Sequence, residues 1–132
     1  MDNSRKNKDF NPHNCPVTHC MNKIGGPWKI IILYAVHKKH NRFSTMQRAI
    51  PAISKQMLVN QLRELEADRI IKRIIYAEIP PRVEYEITDY GQSLIPVINI
   101  LQEWGIKDIE TSPRPESPGA VDSTPHHGWG SF

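Results

Sequence analysis

Polar side chains that can hydrogen-bond to nucleobases recur on one side of a predicted helix in the middle of the chain. Gln56, Asn60 and Arg63 are spaced at i, i+4 and i+7, so a rotation of about 100° per residue places them on one face. Their amide and guanidinium groups offer the paired donors and acceptors that base edges require. Ser54 and Lys55 begin the helix, where the backbone favours phosphate. The pattern predicts a surface that binds an anionic polymer; the alternative is an ordinary amphipathic helix with a solvated face.

The opposite face of the same helix is apolar. Leu58, Leu62 and Leu65 follow the spacing of a stripe that packs on a core, and Ser54 is a favourable N-cap. The segment 37–73 contains nine Lys/Arg against three Asp/Glu, whereas 106–132 contains two against four. A basic centre beside an acidic end supports the prediction of a polyanion-binding domain.

A cysteine near the N-terminus is the second candidate for chemistry. Cys15 precedes Pro16, which suits the first position of a helix. The thiol would therefore lie where the helix dipole favours the thiolate. The alternative is a partly buried small residue without special reactivity. Cys20 would lie about 140° around the same helix, so the two thiols are not expected to pair within it.

The sequence contains few of the patterns that indicate a metal site or an enzyme. His13, Cys15, His19 and Cys20 are close in sequence, but no second cluster with ligand spacing accompanies them. We therefore predict neither a metal nor another cofactor. The chain has no glycine-rich phosphate loop and no G-x-S-x-G motif, and we expect no enzyme activity.

The composition is that of one small domain with polar ends. The 132 residues include 11 prolines, the net charge is +3 and the mean hydropathy is −0.51. No apolar run could span a membrane and no signal peptide is apparent, so we expect a cytoplasmic protein with free thiols. We assign 1–14 to a flexible arm, 15–105 to the folded domain and 106–132 to a disordered tail.

Capping signals predict four helices before the first strand. The first begins at Pro16 and ends at Gly25-Gly26, and the second opens at Pro27 and has residues 38–40 in its last turn. Ser44 caps a short third helix, which stops before the turn that leads to Ser54. Two short helices joined by a tight turn, the second with a polar outer face, indicate a helix-turn-helix.

A strand pair and a last helix follow. Segment 70–76 is rich in β-branched and aromatic residues, and Val83, Tyr85 and Ile87 alternate with glutamates, which predicts a hairpin or wing. Thr88 caps a final helix through Gly105, which Pro96 should bend or shift. Its apolar stripe has no place to pack within one small domain, so we expect a partner subunit to cover it. The stripe comprises Leu94, Val97, Ile98, Leu101 and Trp104.

A family resemblance rests on motifs that occur in a fixed order. They are CPV, IGGPWKIIIL, RF, IPAISKQML, QLRELEADRII, PPRVEYEIT and GQSLIPVI with a later WG. This order resembles the HxlR-type winged helix-turn-helix regulators, relatives of the MarR group, from about Cys15 to Gly105. The resemblance implies a mainly α protein with a small β-hairpin, which dimerises through its terminal helices. One departure is Arg69, where the family often has a glycine.

The resemblance also implies how double-stranded DNA would be bound. The helix from Ser54 would enter the major groove, and Arg82 would reach the flanking minor groove. The residues expected at base edges are Gln56, Asn60 and Arg63, with Val59 beside a thymine methyl group. Those expected at phosphates are Arg42, Ser44, Thr45, Ser54 and Lys55. Ion pairs are the alternatives for two of these side chains: Arg63 with Glu64 or Glu66, and Arg82 with Glu78 or Glu84.

We therefore expect a homodimeric bacterial transcription regulator, a repressor, on an inverted repeat whose half-sites lie about 34 Å apart. Several regulators of this type have a cysteine before the first helix that senses oxidants or electrophiles, and Cys15 is the matching residue. The inducer and the operator are not encoded in any recognisable motif. The alternative function is a dimeric winged-helix module that binds proteins without specific DNA binding.

Overall fold

The fold is mainly helical, with one antiparallel hairpin, as predicted. A computed structural model describes His13 and residues 15–112, so most of the predicted arm and tail lies outside the described residues. The elements in chain order are α1 (Pro16–Ile24), α2 (Lys29–His37), α3 (Phe43–Ala49), α4 (Lys55–Ala67), β1 (Ile71–Tyr76), β2 (Arg82–Ile87), α5 (Asp89–Gln92) and α6 (Ile95–Thr111). None of the described helices is long and apolar enough to cross a membrane.

The core lies among α2, α3, α4 and the start of β1. Leu58, Leu62 and Leu65 are buried on one side of α4, which confirms the predicted stripe. They pack in one cluster with residues from α2 and α3 and with a single buried residue of α6, Ile98. Burying this apolar surface stabilises the arrangement that holds α4 against the rest of the domain. The side chains with less than 2% exposure are Ile32, Leu33, Met46, Leu58, Leu65, Ile70 and Ile71.

The wing comprises β1, β2 and the loop 77–81 between them. Its register pairs Ile71 with Ile87 and Tyr76 with Arg82, so β2 begins one residue before the predicted start at Val83. The amide of Tyr85 also donates to the carbonyl oxygen of Asn41, at 2.9 Å. The link between α2 and α3 is thereby fixed to the outer edge of the hairpin.

Two predicted helix ends are wrong. Helix α2 ends at His37, because the chain turns at Lys39 with a left-handed φ of 74°. Helix α3 begins at Phe43, so Ser44 is its second residue rather than its cap. The cap is Arg42, whose backbone N–H donates to Thr45 Oγ1 at 3.1 Å and whose carbonyl accepts from the same hydroxyl at 2.9 Å.

The predicted terminal helix is two helices. Thr88 caps α5 as expected, accepting from the Gly91 amide at 2.9 Å, but the helix breaks and α6 starts at Ile95, with Pro96 in its first turn. Proline suits that position because its missing N–H is not needed there. Helix α6 then continues to Thr111. Residues 106–111 are therefore helical, which corrects the part of the predicted disordered tail that is described.

The junction between α4 and β1 depends on a residue in an unusual conformation. Arg69, where the resemblance implies a glycine, has a left-handed φ of 62°, which costs a non-glycine residue free energy. Its carbonyl oxygen accepts a hydrogen bond from Thr88 Oγ1 at 2.7 Å. The cap of α5 thus helps to hold the turn that ends α4.

Candidate nucleic-acid interface

Helix α4 has the cap and the orientation that the sequence predicts. Ser54 Oγ accepts from the Met57 amide at 3.0 Å, which satisfies one of the free donors of the first turn. Lys55 follows as the first helical residue and is exposed. The leucine stripe faces inward, so the opposite side of α4 is presented to solvent.

Gln56, Asn60 and Arg63 are all exposed on that outward side, and Val59 beside them is half-buried. Gln56 Nε2 donates to Asn60 Oδ1 at 3.0 Å. The pair leaves one amide oxygen, on Gln56, and one amide NH₂ group, on Asn60, directed away from their mutual bond. Adenine presents one donor and one acceptor at its major-groove edge, so an acceptor and a donor on the protein match it in chemistry.

Arg63 does not form the ion pair that was its alternative. Among residues 15–112, no salt bridge within 4.0 Å joins it to Glu64 or Glu66. Glu64 instead accepts from Lys29 Nζ at 2.7 Å. Lys29 was not among the predicted site residues, because it is 35 positions away along the chain and lies in an apolar segment.

The side chains predicted to contact phosphate at α3 differ in whether they are already hydrogen-bonded within the protein. Ser44 and Arg42 are exposed, and each can reach an anion. The hydroxyl of Thr45 already donates to Arg42 and accepts from it. The hydroxyl of Thr45 is thus engaged with the cap residue Arg42, and its phosphate contact remains a prediction.

The wing holds Arg82 in intramolecular contacts. Its guanidinium lies 3.0 Å from Glu78 Oε2, 2.8 Å from Glu84 Oε2 and 4.0 Å from the centre of the Tyr76 ring. The ion-pair alternative for Arg82 is thus present, with both predicted partners engaged at once. A minor-groove contact by this side chain would require these pairs to open.

A second wing arginine, Arg73, lies near the Tyr85 hydroxyl. Arg73 is exposed and pairs across the hairpin with Tyr85. Burial raises the pKa of the Tyr85 hydroxyl above its usual value, and the positive charges of Arg73 and Arg63 oppose that rise. Both arginines are therefore within electrostatic range of the same hydroxyl, at the junction of α4 with the wing.

Cys15 caps α1, with its sulfur at the helix N-terminus. Sγ lies 3.1 Å from Thr18 Oγ1 and accepts from the Thr18 amide at 3.4 Å. The hydrogen bond with the hydroxyl has the larger effect and the one with the amide the smaller, and both lower the pKa of the Cys15 thiol from its usual value. Both cysteines are free, Cys15 half-buried and Cys20 exposed. Within the described part of the chain, no three His, Cys, Asp or Glu side chains are grouped so that they could hold a metal ion.

Comparisons with known proteins agree with this geometry. Residues 23–113 match the model of the HxlR-like helix-turn-helix family. The HTH-type transcriptional regulator YybR of Bacillus subtilis (strain 168) is 39% identical over 117 residues, which cover 89% of this chain and 94% of the relative. The redox regulator HypR in its oxidised form is 43% identical, with a TM-score of 0.66 over 70% of this chain and 96% of that one.

A third similar protein is the reduced transcriptional regulator YodB from B. subtilis. It is 31% identical, with a TM-score of 0.61 over 77% of this chain and 99% of that one. These relatives are named as regulators, in line with the expectation that the chain is not an enzyme. The chain belongs to the HxlR-like helix-turn-helix family of transcriptional regulators.

Proposed function

We propose that this chain is a homodimeric repressor that reads an inverted-repeat operator with α4 in the major groove. The observation that carries the proposal is the row of three exposed polar side chains on α4, Gln56, Asn60 and Arg63, opposite its buried leucines. Arg63 has no carboxylate partner among residues 15–112. Its guanidinium group is therefore available to donate two hydrogen bonds to guanine O6 and N7. Family membership supports DNA as the ligand.

The proposed dimer is supported by an apolar face on α6. Val97, Ile100, Leu101 and Trp104 recur at three- and four-residue spacing and are 42%, 63%, 50% and 66% exposed. Exposure of four large apolar side chains on one face to water is unfavourable, and a second copy of the chain would cover them. Val17 and Met21 of α1 are also exposed, at 67% and 55%, and we infer that a second copy covers them as well.

The dimer is tested by the size of the particle. Analytical ultracentrifugation of the full chain should give twice the monomer mass, and Trp104→Glu should shift the equilibrium to monomer, because it places a charge in the apolar contact. Asn99→Glu, which places the same charge at an exposed position on the opposite side of the helix, is the control. A wild-type chain that sediments as a monomer contradicts the dimer.

DNA reading is tested by selection of bound sequences from a random pool, followed by affinity measurements. Asn60→Ala should reduce the preference for the selected site over competitor DNA by about tenfold, since it removes the donor of the two-point contact that Gln56 and Asn60 together offer to adenine. Gln61→Ala removes an amide from the side of α4 and should leave the preference unchanged. A wild-type protein without sequence preference at physiological salt contradicts the proposal, and affinity that is flat with salt would indicate a protein-interaction module instead.

We further propose that oxidation of Cys15 controls DNA binding. Its position as the cap of α1 and its hydrogen bonds from Thr18 favour the thiolate, and the similar HypR is named a redox regulator. The thiolate sulfur attacks one oxygen of hydrogen peroxide and displaces hydroxide. The sulfur is oxidised by two electrons to a sulfenic acid, and the peroxide is reduced.

The two cysteines can be compared directly. Peroxide should change the operator affinity of the wild type and of Cys20→Ser but not of Cys15→Ser. Mass spectrometry after trapping with dimedone should find the sulfenic acid on Cys15. An unchanged oxidant response in Cys15→Ser contradicts this role.

A further inference from the structure

Lys29 is the only charged residue in the buried class among the described residues, at 9% exposure. It is the first residue of α2, and its Nζ lies 2.7 Å from Glu64 Oε1 on α4. The lysine side chain is 11% exposed and the glutamate 57%. A long-range ion pair with one partner buried fixes the position of the glutamate much better than an exposed pair would.

Glu64 belongs to the same ridge of α4 as the proposed base-reading amides. Gln56, Asn60 and Glu64 follow each other at intervals of four residues, which brings successive side chains into contact on a helix. Gln56 donates to Asn60 Oδ1. Within residues 15–112 no hydrogen bond engages Asn60 Nδ2, so this amide donor can still meet a base edge.

A carboxylate one turn beyond Asn60 is a natural acceptor for that donor. Asn60 Nδ2 could donate to Glu64 if the glutamate were released, because amide and carboxylate side chains four residues apart commonly pair. The carboxylate would then compete with adenine N7 for the NH₂ group of Asn60. In the structure the carboxylate is instead bound to Lys29, at the N-terminus of α2.

We propose that Lys29 is a positioning residue for DNA reading: by holding Glu64, it keeps the Asn60 amide available to the base. The inference rests on the proposed function, because it assumes that α4 reads DNA. Lys29, which lies outside the helix-turn-helix, would thus contribute to the preference for one DNA sequence without touching DNA.

The first test needs no DNA. In the full chain, the side-chain NH₂ signal of Asn60 is followed by ¹⁵N-resolved NMR in wild type, Lys29→Met and Lys29→Met/Glu64→Ala. Lys29→Met should move this signal downfield as Glu64 accepts its hydrogen, and the double variant should return it to the wild-type position. An Asn60 signal that does not move in Lys29→Met overturns the proposal whatever the protein does with DNA. Lys29→Gln is the second variant if methionine does not support folding.

The second test measures preference for the selected DNA site over a site changed at the adenine. Lys29→Met should lower this preference about tenfold, and Glu64→Ala in the same chain should restore it. In an Asn60→Ala background, Lys29→Met should have no further effect. An equal loss with and without Asn60 overturns the proposal, as does a loss of unfolding stability with no change in preference.

Two controls complete the series. Lys29→Arg keeps the ion pair and should keep the preference. Lys23→Met removes the same charge from α1 and should leave the preference unchanged, which separates positioning from a general loss of positive charge. If the wild type shows no preference, the proposed function fails, while the NMR result still decides the Lys29 contact.

Discussion

Replacement of Arg82 by leucine tests whether this arginine shapes the wing or touches DNA. The change removes ion pairs to Glu78 and Glu84 and the contact with the Tyr76 ring. Two partly exposed ion pairs contribute roughly 0.2–1 kcal/mol each, and an arginine over an aromatic ring contributes about 0.5–1 kcal/mol. We therefore expect Arg82→Leu to lower the free energy of unfolding by roughly 1–3 kcal/mol.

Urea denaturation followed by circular dichroism, at one fixed protein concentration, measures this loss. The matched control is Arg73→Leu, because Arg73 lies on the same hairpin and has no carboxylate within 4.0 Å among residues 15–112. We expect it to change the free energy of unfolding by less than about 0.5 kcal/mol. The same two proteins are then titrated with the selected DNA at several salt concentrations.

The salt dependence separates the two roles of Arg82. If its guanidinium remains with the glutamates in the complex, Arg82→Leu leaves the slope of log affinity against log salt unchanged, whereas a lost phosphate contact reduces the slope by about one. The reasoning is refuted if Arg82→Leu unfolds like the wild type but binds DNA more weakly with a reduced slope. That result would mean that the arginine leaves its intramolecular partners for the minor groove.

Three other substitutions probe separate parts of the fold. Thr18→Val removes the hydroxyl that bonds to Cys15 Sγ, so the pKa of the thiol should rise and its alkylation by iodoacetamide at neutral pH should slow, measured in a Cys20→Ser chain. Leu58→Ala, at a side chain with no exposure, should lower the free energy of unfolding by about 2–5 kcal/mol in urea. Gly91→Ala would place a methyl group against the backbone carbonyl of the residue before β1, so we expect a lower midpoint in thermal unfolding. An unchanged midpoint would mean that α5 can shift away without cost.

The parts of the fold that the sequence predicts well are those encoded locally. Helix α4 is defined by its own sequence, without reference to any other element. It has a side-chain cap, a leucine at each turn of its inward face and a polar residue at each turn of its outward face. The alternation around Tyr85 identifies β2 in the same way. The polar face of α4 follows directly from these local signals.

The errors lie where a distant contact or a backbone conformation decides. Ser44 is a good N-cap by composition, but Thr45 bonds to the backbone of Arg42 and moves the start of α3. The left-handed turn at Lys39 ends α2 early, and nothing in a lysine predicts it. The ion pair of Lys29 with Glu64 joins residues 35 positions apart, so no local spacing could reveal it. For Arg82 the sequence offered two interpretations; the structure shows both glutamates paired with it, and the minor-groove contact remains a prediction.

The hydrogen bond between Asn41 and Tyr85 has a mechanical consequence for regulation. Because it joins the α2–α3 link to the wing, we expect the wing to move together with the helix-turn-helix. In the proposed dimer, the distance between the two copies of α4 then depends on the angle at which α1 and α6 of the two subunits cross. We therefore expect an inducing signal to rotate one subunit against the other rather than to move the wing within a subunit.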